Sequence, residues 1–198
     1  VPPWIDAETM SAISPEAVIP GRLVFMGAMD RIANIAAARF LIEEVWPLVR
    51  TGHPDATLRI VGANPPENLR RAADSDPRLT ITGCVPDMAA EWTAADIAVS
   101  PSLIGGGLLI KVAQPMAAGR PVVTTTLGND GVAAPVGIAV EVADDAPRFA
   151  DAVRRLLTDR AHRARLAEAG RQHVRQTLDW SNSLERLETA YATAQERA

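Results

Sequence analysis

Only one cysteine, three histidines and a single tyrosine occur in the chain, and aromatic residues make up 4% of it. Each scarcity closes off a class of explanation. With Cys84 alone there can be no internal disulfide, which suggests a reducing compartment. His53, His162 and His173 lie far apart and none clusters with a cysteine, so no metal site is expected. No apolar run approaches the roughly 20 residues that a membrane-spanning helix needs, and no charged-then-apolar leader is recognisable. No membrane span is therefore expected. The formal net charge is −4, and the basic residues are scattered among acidic ones. That distribution gives no electrostatic footprint for nucleic acid, which is not expected as a partner. Internal repeats and low-complexity tracts are missing as well.

What is present is a hydrophobic share of 47% over 198 residues, enough for one domain with a real core. The stretch Val1 to Pro20 carries four prolines and no periodicity, and it opens on valine. It is expected to be a linker or N-terminal extension in a fragment of a longer protein, ahead of one domain over 21–198.

Strand and helix patterns alternate through that domain. Leu23 to Met26 is expected to be a strand ending at Gly27. Ala38, Leu41, Ile42, Val45, Leu48 and Val49 mark one helix face that Gly52 ends, with a kink expected at Pro47. A second strand is expected over Thr57 to Val61, a short helix from Pro66 to Ala73, and a third strand from Leu79 to Thr82. Asp87 is placed to cap a helix that reaches Ala94. Asp96 to Ser100 and Pro121 to Thr125 read as strands flanking a helical pattern from Leu108 to Ala118, with Gly119 as its C-terminal cap. A further strand is expected over Gly137 to Val142. Helices then follow, carrying Phe149, Val153, Leu156 and Leu157, then Leu166 and Val174, and finally a segment starting near Asn182. The pattern predicts an α/β fold, a Rossmann-like doubly wound parallel sheet with extra C-terminal helices.

The chemistry is expected in the turn between the Asp96 strand and the helix after it. Gly105, Gly106 and Gly107 remove every β-carbon there, so backbone N–H groups can approach an oxygen-rich ligand at a helix N-terminus. The turn belongs to a right-handed βαβ unit, which puts it at the carboxyl end of the sheet, where ligands of open α/β sheets bind. Phosphate suits that geometry, while a merely flexible loop would also account for three glycines. Asp30 is expected at a helix N-terminus. Cys84 is expected to be a buried small hydrophobe, and His53 and His173 to be surface residues.

Several segments taken together resemble a known family. They are Leu23–Gly27, Asp55–Gly62 with Asn64, Pro65 and Pro66, the triplet Gly83–Val85 with Asp87, and GGGLLIKVAQPMAAGRPVV from Gly105 to Val123. The chain looks like the nucleotide-sugar-binding C-terminal domain of family 4 (group 1) glycosyltransferases, the C-terminal half of a GT-B fold. That resemblance implies transfer of a sugar from a nucleotide diphosphate donor, hexosyltransferase in type, with retention of configuration. It implies no cofactor and no metal, and an upstream domain that holds a carbohydrate or lipid-linked acceptor. The location it implies is cytoplasmic, with any attachment to the inner face of the membrane carried by the missing half. The fragment by itself is expected to be inactive.

By the same resemblance, Gly106, Gly107 and Leu108 lie beside the donor's diphosphate and sugar, Gly27 and Gly105 also belong to the substrate-binding set, Val85 meets the nucleobase through its backbone, Gln114 faces the ribose, and Lys111 lies one turn nearer the glycines. The chain also departs from the pattern. Many members have two glutamates where it has Gly106 and Gln114, and a basic pair where it has Ala28 and Asn34; one branch has an arginine where it has Leu109. Arg31 could swing into the space left by Ala28, and Asp130 falls in a loop that faces the donor in the family. Two alternatives remain open: a degenerate, non-catalytic sugar-nucleotide or scaffolding module, and another GT-B enzyme such as a sugar-nucleotide epimerase.

Overall fold

Strand β1 (Arg22–Met26) is apolar on both faces. Leu23 and Phe25 enter one core, and Val24 and Met26 the other. Such a strand belongs inside a parallel sheet covered on both sides. In the computed structural model, which describes residues 17–106 and 110–179, β1 pairs in parallel with β2 (Thr57–Val61) and β4 (Ile97–Ser100). With β3 (Leu79–Ile81), β5 (Val122–Thr124) and β6 (Glu141–Val142) the sheet has six strands, all parallel, in the order β3-β2-β1-β4-β5-β6. The winding reverses between β1 and β4, so the loops leaving their carboxyl ends diverge and open a crevice.

One face of the sheet is covered by α1 (Ile32–Arg39), a π-helical turn (Phe40–Val45), α2 (Trp46–Gly52) and α7 (Ala146–Thr158). Phe40 meets Phe149 edge-on, with ring centroids 5.8 Å apart, and Leu41, Val49, Val153 and Leu156 are buried with them. The irregularity expected at Pro47 falls one turn earlier, where Trp46 N–H reaches the carbonyl of Leu41. That wide turn breaks the i→i−4 pattern just ahead of the N–H that proline lacks.

The other face carries α5 (Ile110–Ala117) and α8 (Arg160–Thr177), with Val112, Met116 and Val174 in its core. Shorter helices α3 (Glu67–Asp74), α4 (Met88–Ala94) and α6 (Thr126–Asn129) complete the domain. Asp87 caps α4 as expected, accepting from Ala89 N at 2.8 Å and Ala90 N at 3.1 Å. The strand expected over Gly137–Val142 is shorter than its alternating pattern suggests. Gly137 has φ +74 and its N–H bonds the Val140 carbonyl at 2.7 Å, so these residues turn and only Glu141 and Val142 reach β5. Trp180, the helix expected from Asn182, and residues 1–16 lie outside the described residues.

Candidate functional site

Glycine ends the strands that floor the crevice. Gly27 N–H bonds the Val61 carbonyl at 2.9 Å, and Gly62 N–H bonds the Gly83 carbonyl at 3.1 Å. A β-carbon on Gly62 would lie 1.9 Å from the Gly27 carbonyl oxygen, so only glycine lets β1 and β2 exit this close together. Above this floor is a cleft of about 660 Å³. One wall comes from the loop after β1 and the start of α1, the other from the loop after β4 and the exposed side of α5.

The β4 wall is tied down from behind. Thr125 Oγ1 accepts from Ser102 N at 3.0 Å and donates to the Ser102 carbonyl at 2.7 Å. Beyond this anchor Gly105 has φ +96, and added β-carbons at Gly105 or Gly106 would touch nothing within 4 Å among the described residues. Packing against the described residues thus demands glycine at neither position, but the positive φ of Gly105 does, and both glycines leave the backbone open to the cleft.

Of the residues named from sequence, Gly27, Val85, Gly105, Gly106, Lys111 and Gln114 all line this one cleft, while Gly107 and Leu108 lie outside the described residues. Arg31 lies on the same wall as Ala28. Among the described lining residues the cations are Lys111 and Arg31, and none is a carboxylate. Lys111 Nζ donates to Asn34 Oδ1 at 3.0 Å and stands 5.5 Å from the centre of the Phe25 ring. Burial lowers its pKa from the ordinary lysine value. Gln114, in the second turn of α5 on its cleft-facing side, is half-buried.

Pro115 follows inside the helix and has no N–H for the Lys111 carbonyl, which accepts instead from Ser100 Oγ at 2.8 Å. Ser100 and Thr125 are thus site residues that sequence reasoning missed, and Asn34, noted there only as a departure from the family's basic pair, has a role that it did not foresee. The one signal pointing to any of them was a proline within a helical pattern, which implies an outside donor for an orphaned carbonyl.

Other expectations hold only in part or fail. Asp30 does stand at the start of α1, exposed and just before the N-cap Arg31, but no side chain caps that helix. Cys84 is exposed on the cleft wall rather than buried, because β3 ends at Ile81 and residue 84 has already left the sheet. His173 is half-buried, its Nε2 2.8 Å from the Val132 carbonyl. Asp130 does not line the cleft; it follows α6, where Asn129 bonds both the carbonyl and the N–H of Ala134. Among the described residues no group of three or more His, Cys, Asp and Glu side chains gathers as a metal site would require, and no helix is long and apolar enough to cross a membrane.

Comparison with known proteins agrees with this architecture. A family model described as Glycosyl transferases group 1 matches residues 20–159. The chain is 34% identical, over 94% of its length, to the GDP-mannose-dependent monoacylated alpha-(1-6)-phosphatidylinositol monomannoside mannosyltransferase of Corynebacterium glutamicum, and covers 54% of that protein. It is 30% identical, over 98% of its length, to the phosphatidyl-myo-inositol mannosyltransferase of Mycobacterium leprae, and covers 53% of it. The chain thus spans about half the length of these curated relatives. Among solved structures, a glycosyltransferase of Rickettsia africae superposes with a TM-score of 0.76 at 14% identity, over 97% of this chain and 52% of that one. The C-terminal domain of a group 1 glycosyltransferase of Francisella tularensis gives 0.66 at 17% identity, over 90% and 95%. HepE of Anabaena in complex with UDP gives 0.75 at 14% identity, over 94% and 52%. Since the family match takes in more than half of the 198 residues and the sheet has the fold of these enzymes, the chain belongs to the group 1 glycosyltransferase family.

Proposed function

We propose that this chain is the donor-binding half of a retaining glycosyltransferase. It takes a nucleotide-diphosphate sugar into the cleft between β1 and β4, while a further domain, joined through the segment that ends near residue 20, holds a carbohydrate or lipid-linked acceptor. One observation carries the reading: a glycine-floored cleft at the topological switch point whose described lining has two cations and no carboxylate. The Corynebacterium relative is named for its use of GDP-mannose, and the Anabaena neighbour was solved with UDP. Both fit a nucleotide-sugar donor.

As the glycosidic bond to the diphosphate breaks, negative charge builds on the leaving phosphate. A fixed ammonium and open backbone N–H groups meet that charge without reorganisation. Lys111 supplies the ammonium, and the backbone around Gly105 and Gly106 the dipoles. Arg31 adds a second cation at the rim, so the charge is met without a metal. Gln114 can donate and accept toward ribose hydroxyls, and Val85 meets the nucleobase through its backbone. The neutral amide of Gln114 also favours a second reading, a module that binds sugar nucleotide without turnover.

Calorimetric titration of the chain with UDP, GDP, ADP and their sugar conjugates tests the proposal. One nucleotide is expected to bind, and both Lys111→Ala and Gly106→Val are expected to weaken it. Failure of all three to bind at millimolar concentration would sink the donor assignment. Sugar transfer by the protein joined to its acceptor domain separates the enzyme from the silent module.

A further inference from the structure

Asn34 stands in the first turn of α1 with both ends of its amide engaged. Nδ2 donates to the Ala28 carbonyl at 2.9 Å, which leaves Oδ1 as the acceptor for Lys111 Nζ at 3.0 Å, across 77 residues of sequence. Gly27 makes the room for this: its β-carbon would come within 2.7 Å of Asn34 Cγ. Lys111 is held at its backbone too, through the Ser100 bond to its carbonyl. The lysine is therefore clamped from two sides, and its ammonium keeps two further N–H donors for a ligand.

Burial disfavours a cation there, and the contacts that oppose this do not neutralise the charge. Phe25 of β1 presents its ring 5.5 Å from Nζ. The other titratable groups on the cleft wall are Arg31, at the start of α1, and Cys84, beyond β3. No carboxylate among the described lining residues competes for the ammonium. An amide oxygen supports the charged form of a lysine by accepting from it, yet unlike a carboxylate it leaves the charge to be matched by an incoming anion.

We propose that Asn34 is a positioning residue for the diphosphate of the donor: it holds the Lys111 ammonium inside the cleft as an uncompensated charge, so that the site selects nucleoside diphosphates over nucleosides. The inference rests on the donor-binding reading and adds to it the residue that makes Lys111 competent. Two consequences follow. Asn34 acts only through Lys111, so removing both should be no worse than removing the lysine alone. Diphosphate binds the protonated lysine, so affinity is greatest below the pKa of Lys111 in the empty cleft and declines as pH rises through it. Loss of the amide acceptor disfavours the ammonium and moves that decline to lower pH. A carboxylate at 34 favours the ammonium and moves it to higher pH.

The test is calorimetric titration of the chain with GDP, UDP, guanosine and uridine across pH, in wild type, Asn34→Leu, Asn34→Asp, Lys111→Met and the Asn34→Leu/Lys111→Met double variant. Asn34→Leu and Lys111→Met should each weaken the tighter-binding diphosphate about tenfold, the loss of one charge-assisted hydrogen bond, and leave the nucleosides little changed. The double variant should match Lys111→Met. Asn34→Asp, nearly the same in shape, should also weaken the diphosphate, with its pH decline displaced opposite to that of Asn34→Leu. The positioning role is overturned, with the donor reading intact, if Lys111→Met weakens the diphosphate while the Asn34 variants do not. It is overturned equally if the two losses multiply in the double variant, or if the pH decline stays fixed in both Asn34 variants. Absence of GDP and UDP binding to wild type would overturn it together with the donor reading.

Discussion

Ser100 Oγ donates to the Lys111 carbonyl at 2.8 Å, and that carbonyl is the one to which Pro115, four residues on, has no N–H to offer. The pair joins the end of β4 to the first turn of α5 beneath the cleft. A buried carbonyl left unmet costs about 1–3 kcal/mol, so Ser100→Ala should destabilise the fold by that much in denaturant unfolding. Pro115→Ala restores a backbone N–H in the right place. In that background the serine should matter less, with a coupling of about 1 kcal/mol. Strict additivity of the two changes would show that Ser100 is not standing in for the proline's missing donor.

The parts of this chain that could be read from sequence are those fixed by local order. Thr57–Val61 forms a strand with the expected bounds because Leu58 and Ile60 alternate with Thr57 and Arg59 ahead of Val61, and Gly62 closes the run. Gly27, Val85, Gly105, Gly106, Lys111 and Gln114 reach one cleft because each follows a strand or lies in the first two turns of a helix at the same end of a parallel sheet. The pairings of Asn34, Ser100 and Thr125 were hidden because their partners lie 77, 11 and 23 residues away. No local pattern encodes such a pairing. Gly137–Val142 misled in the opposite sense: its alternation suits a strand, but the positive φ of Gly137 turns the chain before pairing begins.

Asp76 ties the α2 end of the first core to β3. It is buried, and it accepts from Trp46 Nε1 at 2.9 Å, Arg50 Nη1 at 2.9 Å, Arg78 N at 3.0 Å and Arg78 Nε at 3.3 Å. Burial alone would raise its pKa, but the hydrogen bonds from Trp46, Arg78 and Arg50 outweigh that and hold the carboxyl well below the usual range. The folded-state pKa is depressed, so its stabilising contribution is complete above the unfolded value of about 3.9 and is lost as pH falls below it. Thermal unfolding should therefore show stability declining below about pH 4 in wild type. Asp76→Asn should be less stable at neutral pH and show a shallower decline. An unchanged acid profile in that variant would place the acid sensitivity elsewhere.

Cys84 offers the most direct view of where a ligand lies. Its thiol is exposed on the cleft wall beside Val85, at the end away from the Lys111 wall, and it is the only cysteine in the sequence. A maleimide should therefore modify the native chain once, at a rate read by mass spectrometry. A nucleotide whose base rests against Val85 covers the thiol, so UDP or GDP at saturating concentration should slow the modification severalfold. Inorganic pyrophosphate can meet the Lys111 ammonium but has no base to cover residue 84, and should leave the rate nearly unchanged. Protection by nucleotide alone would thus orient the ligand, base toward β3 and phosphates toward α5. Equal protection by pyrophosphate would instead put the phosphates near Cys84 and reverse that orientation, and no protection by a nucleotide that binds would move the base off the Val85 wall.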